Sequence, residues 1–179
     1  MKVKRLTPGD VELVRHIDRS EHVDVQYGVV DGELVERPVV MAEVPSWFTE
    51  GDGDFTVAHH VAHVRDDLDR GGTLLGAFVD DDVAGLATIV PTLDGDRDLA
   101  QLAWLHVSRR HRRNGAASAL WDAAADTARA AGASAMYVSA TPTGSAVGFY
   151  LSRGCRLADP VHPRLYELEP DDIHLVCSL

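Results

Sequence analysis

The chain of 179 residues is 45% hydrophobic and 25% charged, a composition typical of a globular domain with its own core. Its 17 basic and 28 acidic residues give a net charge of −11, which excludes general affinity for nucleic acid or anionic membranes. Two cysteines, no signal-peptide pattern and no membrane-spanning apolar run favour a single cytoplasmic domain over residues 1–179 rather than a cross-linked secreted scaffold.

The N-terminal quarter predicts a strand, a helix and a hairpin. Residues 2–6 have the pattern of a short strand. Thr7-Pro8-Gly9-Asp10 then supplies a cap, a first-turn proline and an acid, which predicts a helix through about residue 17. Residues 23–30 and 34–41 predict two strands joined by a tight turn at Asp31-Gly32.

The middle of the chain begins with an acidic loop. Residues 45–54 carry Trp47 and Phe48 beside acids and glycines, which indicates a loop with an aromatic lip. A helix is predicted from residue 56 or 57 to residue 68. Residues 73–79 and 83–90 then predict an antiparallel hairpin.

The C-terminal half alternates strands with helices. Strands are predicted at residues 99–107, 135–140, 164–168 and 173–179, and helices at residues 115–131 and 144–153. The whole order predicts an α/β fold built on a mixed sheet.

A basic turn joins the strand at residues 99–107 to the following helix. Backbone N–H groups at a helix start lack partners and the helix dipole favours negative charge there, so this turn is suited to a pyrophosphate. Gly115 and the small residues after it allow close approach, and Arg112 and Arg113 can add charged hydrogen bonds. Neither the P-loop pattern nor the dinucleotide glycine pattern is present.

At these residues the sequence resembles the GNAT superfamily of acetyl-coenzyme A (acetyl-CoA) dependent N-acetyltransferases. Arg112, Gly115 and Ala117 match the cofactor motif, and Ala146 with Phe149-Tyr150 matches the later helix before Gly154. The resemblance covers about residues 73–155. It implies the GNAT fold, with acetyl-CoA between splayed central strands, no metal, and direct transfer to an amine.

The resemblance also implies which residues hold acetyl-CoA. Main chain at Leu105, His106 and Val107 is expected to bind the pantetheine arm. The pyrophosphate is expected on seven consecutive residues, namely Arg112, Arg113, Asn114, Gly115, Ala116, Ala117 and Ser118. Thr143 stands where relatives often carry an asparagine near the cofactor.

Tyr150 stands where the family carries the acid that protonates the departing thiolate, and a phenol with a pKa near ~10 is protonated at neutral pH. The general base is open, because Gln101 stands near the glutamate of many relatives and cannot take a proton. His106 is the nearest titratable residue on that strand, and Asp96 or Asp98, or a water, are the alternatives.

Two other functions are compatible with parts of the sequence. A non-catalytic acyl-CoA sensor would keep the basic turn without needing Tyr150 or a base. A metallohydrolase would use His59 and His63, which share one helix face but lack a glutamate between them and a third ligand. Cys155 is interpreted as a small buried hydrophobic residue. The acceptor is expected to be a small-molecule or peptide amine, and the sequence leaves open which one. A homodimer is compatible with the sequence.

Overall fold

A computed structural model describes all 179 residues and centres on a seven-stranded mixed sheet. The strands in chain order are β1 (Lys2–Arg5), β2 (Glu21–His22), β3 (Gln26–Val30), β4 (Glu33–Arg37), β5 (Glu43–Val44), β6 (Thr73–Val79), β7 (Asp82–Val90), β8 (Leu99–Val107), β9 (Ala135–Ala140), β10 (Arg156–Leu157) and β11 (Ile173–Ser178). The α-helices are α1 (Val57–Asp69), α2 (Ala116–Ala130), α3 (Gly144–Ser152) and α4 (Pro163–Leu168), and 3-10 helices span Pro8–His16 and Arg109–His111. None of the helices combines the length and apolar character needed to cross a bilayer.

The large sheet has the order β1-β6-β7-β8-β9-β11-β10. All neighbouring strands in it are antiparallel except β8 and β9, which are parallel and are connected through α2. The prediction of an α/β fold with a mixed sheet is confirmed. The single parallel pair lies near the centre, which is where the functional site is built.

Apolar residues cover both faces of this sheet. Helix α2 buries Ala116, Leu120, Ala124 and Ala128 on the face that it shares with α3, at the three- and four-residue spacing of an amphipathic helix. The other face carries α1 and the 3-10 helix Pro8–His16. The two layers hold the central strands rigidly between them.

The N-terminal hairpin is confirmed, with shorter strands than predicted. Strands β3 and β4 pair around Asp31 and Gly32, which both have positive φ (51° and 79°), as a tight hairpin turn of this type requires. The hairpin reaches the centre of the fold because Tyr27 N donates to Pro142 O and Gly144 N donates to Val25 O. It therefore lies against the start of α3.

The prediction of a strand at residues 164–168 is wrong. These residues form helix α4, since Pro163 occupies its first turn with a pre-set φ. The edge position of the sheet belongs to the two-residue strand β10, where the sequence predicts no strand. The first predicted helix is a 3-10 helix, in which both Thr7 N and Thr7 Oγ1 donate to the Asp10 carboxylate.

A disulfide joins Cys155 to Cys177, and Cys155 is buried in the core as expected. Arg156 on β10 pairs with Val176 on β11, and the same register places the two cysteines opposite each other. Both are buried.

Breaking this disulfide is expected to lower stability without unfolding the sheet. The bond closes a loop of 22 residues, for which the chain-entropy effect is about 3 kcal/mol. We expect the double variant Cys155→Ala/Cys177→Ala to lose about that much free energy of unfolding in denaturant titrations. A reducing agent should lower the wild type to the same value and leave the variant unchanged. Equal stability of oxidised and reduced wild type would contradict the prediction.

Candidate active site

A cleft opens where β8 and β9 separate. Their parallel pairing ends at Gln101 and Tyr137, and from Leu102 to Val107 strand β8 pairs only with β7. One edge of β8 therefore has no partner strand along the cleft. An extended ligand can pair with such an edge as an added strand would.

A β-bulge in β8 accompanies the separation. Thr88 pairs with Trp104 and Ile89 pairs with Leu102, so Ala103 is an extra residue in β8. A bulge bends its strand and increases the local twist. Leu105, His106 and Val107, which were predicted to contact pantetheine, lie beyond the bulge along the open edge.

Six consecutive backbone amides, from Arg113 to Ser118, donate no hydrogen bond within the protein. The first turn of α2 supplies three of them, and the turn before it is exposed. Arg113 and Gly115 have φ of 61° and 83°, and alternation of this kind turns successive N–H groups into one concavity. With the positive end of the helix dipole behind it, this turn has the geometry and polarity that favour an anion.

The Arg112 side chain points away from that concavity. Its Nε donates to Val107 O at 3.1 Å, and one terminal nitrogen donates to Arg19 O at 2.8 Å. Another terminal nitrogen lies 3.6 Å from Glu21 Oε2. Arg112 thus fastens residues 19–21 to the end of β8, whereas Arg113 is exposed at the concavity. The backbone, rather than the Arg112 guanidinium, forms the phosphate-sized site.

Tyr150 lies on α3 beside the cleft. The start of α3 is fixed by Thr143, whose hydroxyl accepts from Ala146 N at 3.4 Å and lies 3.2 Å from Ser145 Oγ. The Tyr150 ring is buried, with its centroid 5.9 Å from that of Trp121. Burial, and next the charge of Asp172, raise the pKa of Tyr150 above its ordinary value, so the hydroxyl remains protonated.

An aromatic and histidine cluster covers the other side of β8. It consists of Trp47, His60, Trp104 and His106, with Trp47 3.8 Å from His60 and Trp104 4.4 Å from His106 between ring centroids. Trp104 Nε1 donates to His60 Nδ1 at 3.2 Å. This cluster borders the cleft on the side opposite α2.

Both histidines of this cluster are neutral. Burial first, and then neighbouring positive groups, lower the pKa of His106 to about 3. The pKa of His60 falls to about 4, mainly through burial. A base works best when its pKa lies near the operating pH, so the low pKa weighs against His106 as the general base. The position of His106 at the cleft instead suits packing against a bound ligand.

The other candidate bases lie elsewhere. Gln101 accepts from Arg70, whose guanidinium also pairs at 2.5 Å with the fully buried Asp67. Asp96 and Asp98 occupy the turn before β8, at the end of the strand opposite Val107. At ~3.3 Å per residue, seven residues separate Asp98 from Leu105 by roughly 20 Å. Asp96 and Asp98 therefore lie far from the Leu105 end of the cleft.

The histidines of α1 do not converge on a metal site. His59 is partly exposed 3.7 Å from Asp54, and His63 is 3.9 Å from Asp67. No three His, Cys, Asp or Glu side chains are grouped so that they can hold a metal ion. The side chain that enters the cleft from this helix is His60.

Two residues near the cleft are absent from the sequence analysis. The Arg19 guanidinium lies between the rings of Trp47 and Phe55, 4.4 and 4.5 Å from their centroids. Asp172 lies immediately before β11 and is close enough to Tyr150 to influence its ionisation. Neither carries a local motif, because their positions depend on contacts between distant parts of the chain.

A family model supplies the identity that this geometry suggests. The model of the acetyltransferase (GNAT) family matches residues 41–155, which include the open cleft, the amide concavity and Tyr150. This chain belongs to the GNAT acetyltransferase family. The predicted resemblance, the fold class and the enzyme class are thereby confirmed. No curated protein matches the chain at a significant level.

Solved GNAT acetyltransferases share the whole fold. A nourseothricin acetyltransferase is 20% identical, with a TM-score of 0.71 over 99% of this chain and 97% of its own. A putative streptothricin acetyltransferase from Bacillus anthracis, in complex with acetyl-CoA, is 12% identical with a TM-score of 0.61 over 99% of both chains. The PaiA N-acetyltransferase from Thermoplasma acidophilum, in complex with coenzyme A, is 12% identical with a TM-score of 0.64 over 99% and 98%.

Proposed function

We propose that this GNAT enzyme transfers the acetyl group of acetyl-CoA to a primary amine, by direct transfer in a ternary complex. The observation that carries the proposal is the run of six unpaired amides next to the open edge of β8, with Tyr150 on the helix that follows β9. Acetyl-CoA or coenzyme A is present in two of the similar structures. The amides would hold the pyrophosphate, and the open edge of β8 would bind the pantetheine arm.

The residues beside the cleft can supply the remaining chemistry. The Tyr150 hydroxyl can donate a proton to the sulfur as the C–S bond breaks. Both cysteines are joined in the disulfide, so neither offers a thiolate for an acetyl-enzyme intermediate. The amine therefore attacks the thioester carbonyl directly, without a cysteine nucleophile from the protein.

A cationic amine is the acceptor that the charge distribution favours. The net charge of −11 attracts cations, and the acidic loop at residues 50–54 borders the aromatic cluster through the hydrogen bond from His60 Nε2 to Asp54 O. Aromatic rings also stabilise cations at short range. By analogy with the named similar structures, a streptothricin-type antibiotic belongs among the first acceptors to be tried.

An amine screen tests the proposal. Thiol release from acetyl-CoA would be followed with nourseothricin, polyamines, free amino acids and a peptide with a free N-terminus, and mass spectrometry would identify the acetylated product. We expect saturable thiol release with at least one cationic amine and none without amine. Tight binding of acetyl-CoA without thiol release for any amine would contradict the proposal and favour a non-catalytic sensor.

A further inference from the structure

Asp172 lies next to the end of β9, on the side of the sheet where β8 and β9 separate. Ile173 on β11 pairs with Ala140 on β9, and the same register places Asp172 beside residue 141, just after β9 ends. The chain from residue 141 leads within two residues to Thr143, which caps the helix that carries Tyr150. Asp172 therefore lies beside the segment that leads into the helix of Tyr150, and its charge acts on the Tyr150 hydroxyl.

The Asp172 side chain is half-buried and has no ionic partner. No arginine, lysine or histidine pairs with it, and its only hydrogen bond runs from its backbone N to Glu169 O. Tyr150 faces it from α3, while Glu169 and Asp171 face it from the segment before β11; neither β9 nor the β3–β4 hairpin supplies a charge that affects it. Its burial first, and then these two acids, raise the pKa of Asp172 to about 7.

We propose that Asp172 is the general base of this enzyme, taking a proton from the ammonium form of the acceptor beside Tyr150. The inference rests on the proposed acetyl transfer and identifies the base that neither Gln101 nor His106 can provide. A carboxylate without a cation partner next to the end of β9 also attracts the ammonium group before it removes the proton. One side chain thus combines recognition of charge with activation of the amine.

Protons and electrons balance in this arrangement. The ammonium proton passes to the Asp172 carboxylate and leaves an electron pair on nitrogen. That pair forms the C–N bond with the thioester carbonyl carbon, the C–S bond breaks, and the sulfur takes the Tyr150 proton. The second proton lost by nitrogen restores the Tyr150 hydroxyl, and Asp172 releases its proton to solvent. Ammonium and thioester become amide, thiol and one free proton.

The pH dependence of the variant Asp172→Asn tests this role. For the wild type we expect kcat/KM to rise with pH through about 7, because the carboxylate must be ionised. For Asp172→Asn we expect kcat/KM to be about 100-fold lower at neutral pH. The deficit should shrink as the pH approaches the pKa of the acceptor ammonium, because solvent then supplies the neutral amine.

The neighbouring variant Asp171→Asn is the matched control. Removing its charge lowers the pKa of Asp172, so the rise in kcat/KM should move to lower pH while the maximal rate is retained. A merely structural role for Asp172 would not produce this shift. The inference is overturned if the deficit of Asp172→Asn is equal at every pH. It is also overturned if Asp172→Asn keeps the wild-type pH profile.

The fold of the variant can be checked independently. The folded pKa of Asp172 lies above the unfolded value of 3.8, so its ionisation costs stability as the pH rises through about 7. Asp172→Asn should therefore melt higher than the wild type, with a larger gain at pH 8 than at pH 5. If the wild type acetylates no amine, the proposed function fails; if it does and Asp172→Asn behaves like the wild type, only the base assignment fails.

Discussion

Replacing Tyr150 with phenylalanine is expected to lower kcat about 1000-fold, within the range that a lost general acid costs. The substitution removes only the hydroxyl, so the ring should keep its packing against Trp121 and Phe149. The KM for acetyl-CoA should change little, because the amides and the β8 edge remain. Steady-state kinetics with the best amine of the screen would measure both quantities.

The pH profile and a second tyrosine provide controls for this prediction. Since burial and Asp172 raise the pKa of Tyr150, the wild type should show no loss of activity from Tyr150 ionisation below about pH 10. The exposed Tyr166 on α4 offers the matched variant Tyr166→Phe, which should retain wild-type rates. If Tyr150→Phe kept more than about a tenth of kcat, the sulfur would take its proton from another source.

A glutamate at position 118 is expected to abolish tight binding of acetyl-CoA while leaving the fold stable. Ser118 is the third residue of α2, and a carboxylate there can accept from the free amides in place of phosphate. With an effective dielectric constant near 20, a charge about 5 Å from one phosphate charge costs about 3 kcal/mol. This corresponds to roughly 200-fold weaker binding.

Calorimetric titration of Ser118→Glu and Ser118→Gln would separate charge from size. The glutamine variant has nearly the same volume without the charge, so it should bind coenzyme A far more tightly than the glutamate variant. Without ligand the glutamate variant should melt no lower than the wild type, because an acid is favourable in the first turn of a helix. Higher salt should reduce the binding deficit. Equal affinities for the two variants would place the pyrophosphate elsewhere.

Short-range signals in the sequence were sufficient to predict the parts of the site that depend on consecutive residues. Gly115 and the small residues after it predict the turn before α2, and its unpaired amides follow from the start of any helix. Tyr150 is found by its spacing from that turn. Each helix and strand has the spacing of apolar residues typical of its type, so the sequence predicts the order of elements. That order predicts the mixed sheet.

Long-range contacts determine the rest. The Arg112 side chain was predicted to bind phosphate, but its partner Arg19 O is 93 residues away in sequence. Asp172 reaches Tyr150 only through the register of β11 against β9, and Cys155 meets Cys177 only through the register of β10 against β11. At residues 164–168 the apolar pattern was read as a strand, while the preceding Pro163 favours a helix start.

The Arg112 guanidinium connects the basic turn with the aromatic side of the cleft. It joins the end of β8 to the backbone of Arg19, and Arg19 in turn lies between Trp47 and Phe55 at the aromatic side of the cleft. We expect an adjustment of the turn on donor binding to reach Trp47 and Phe55 through these contacts. Thermodynamic reciprocity then requires that each substrate alter the affinity of the other by the same factor.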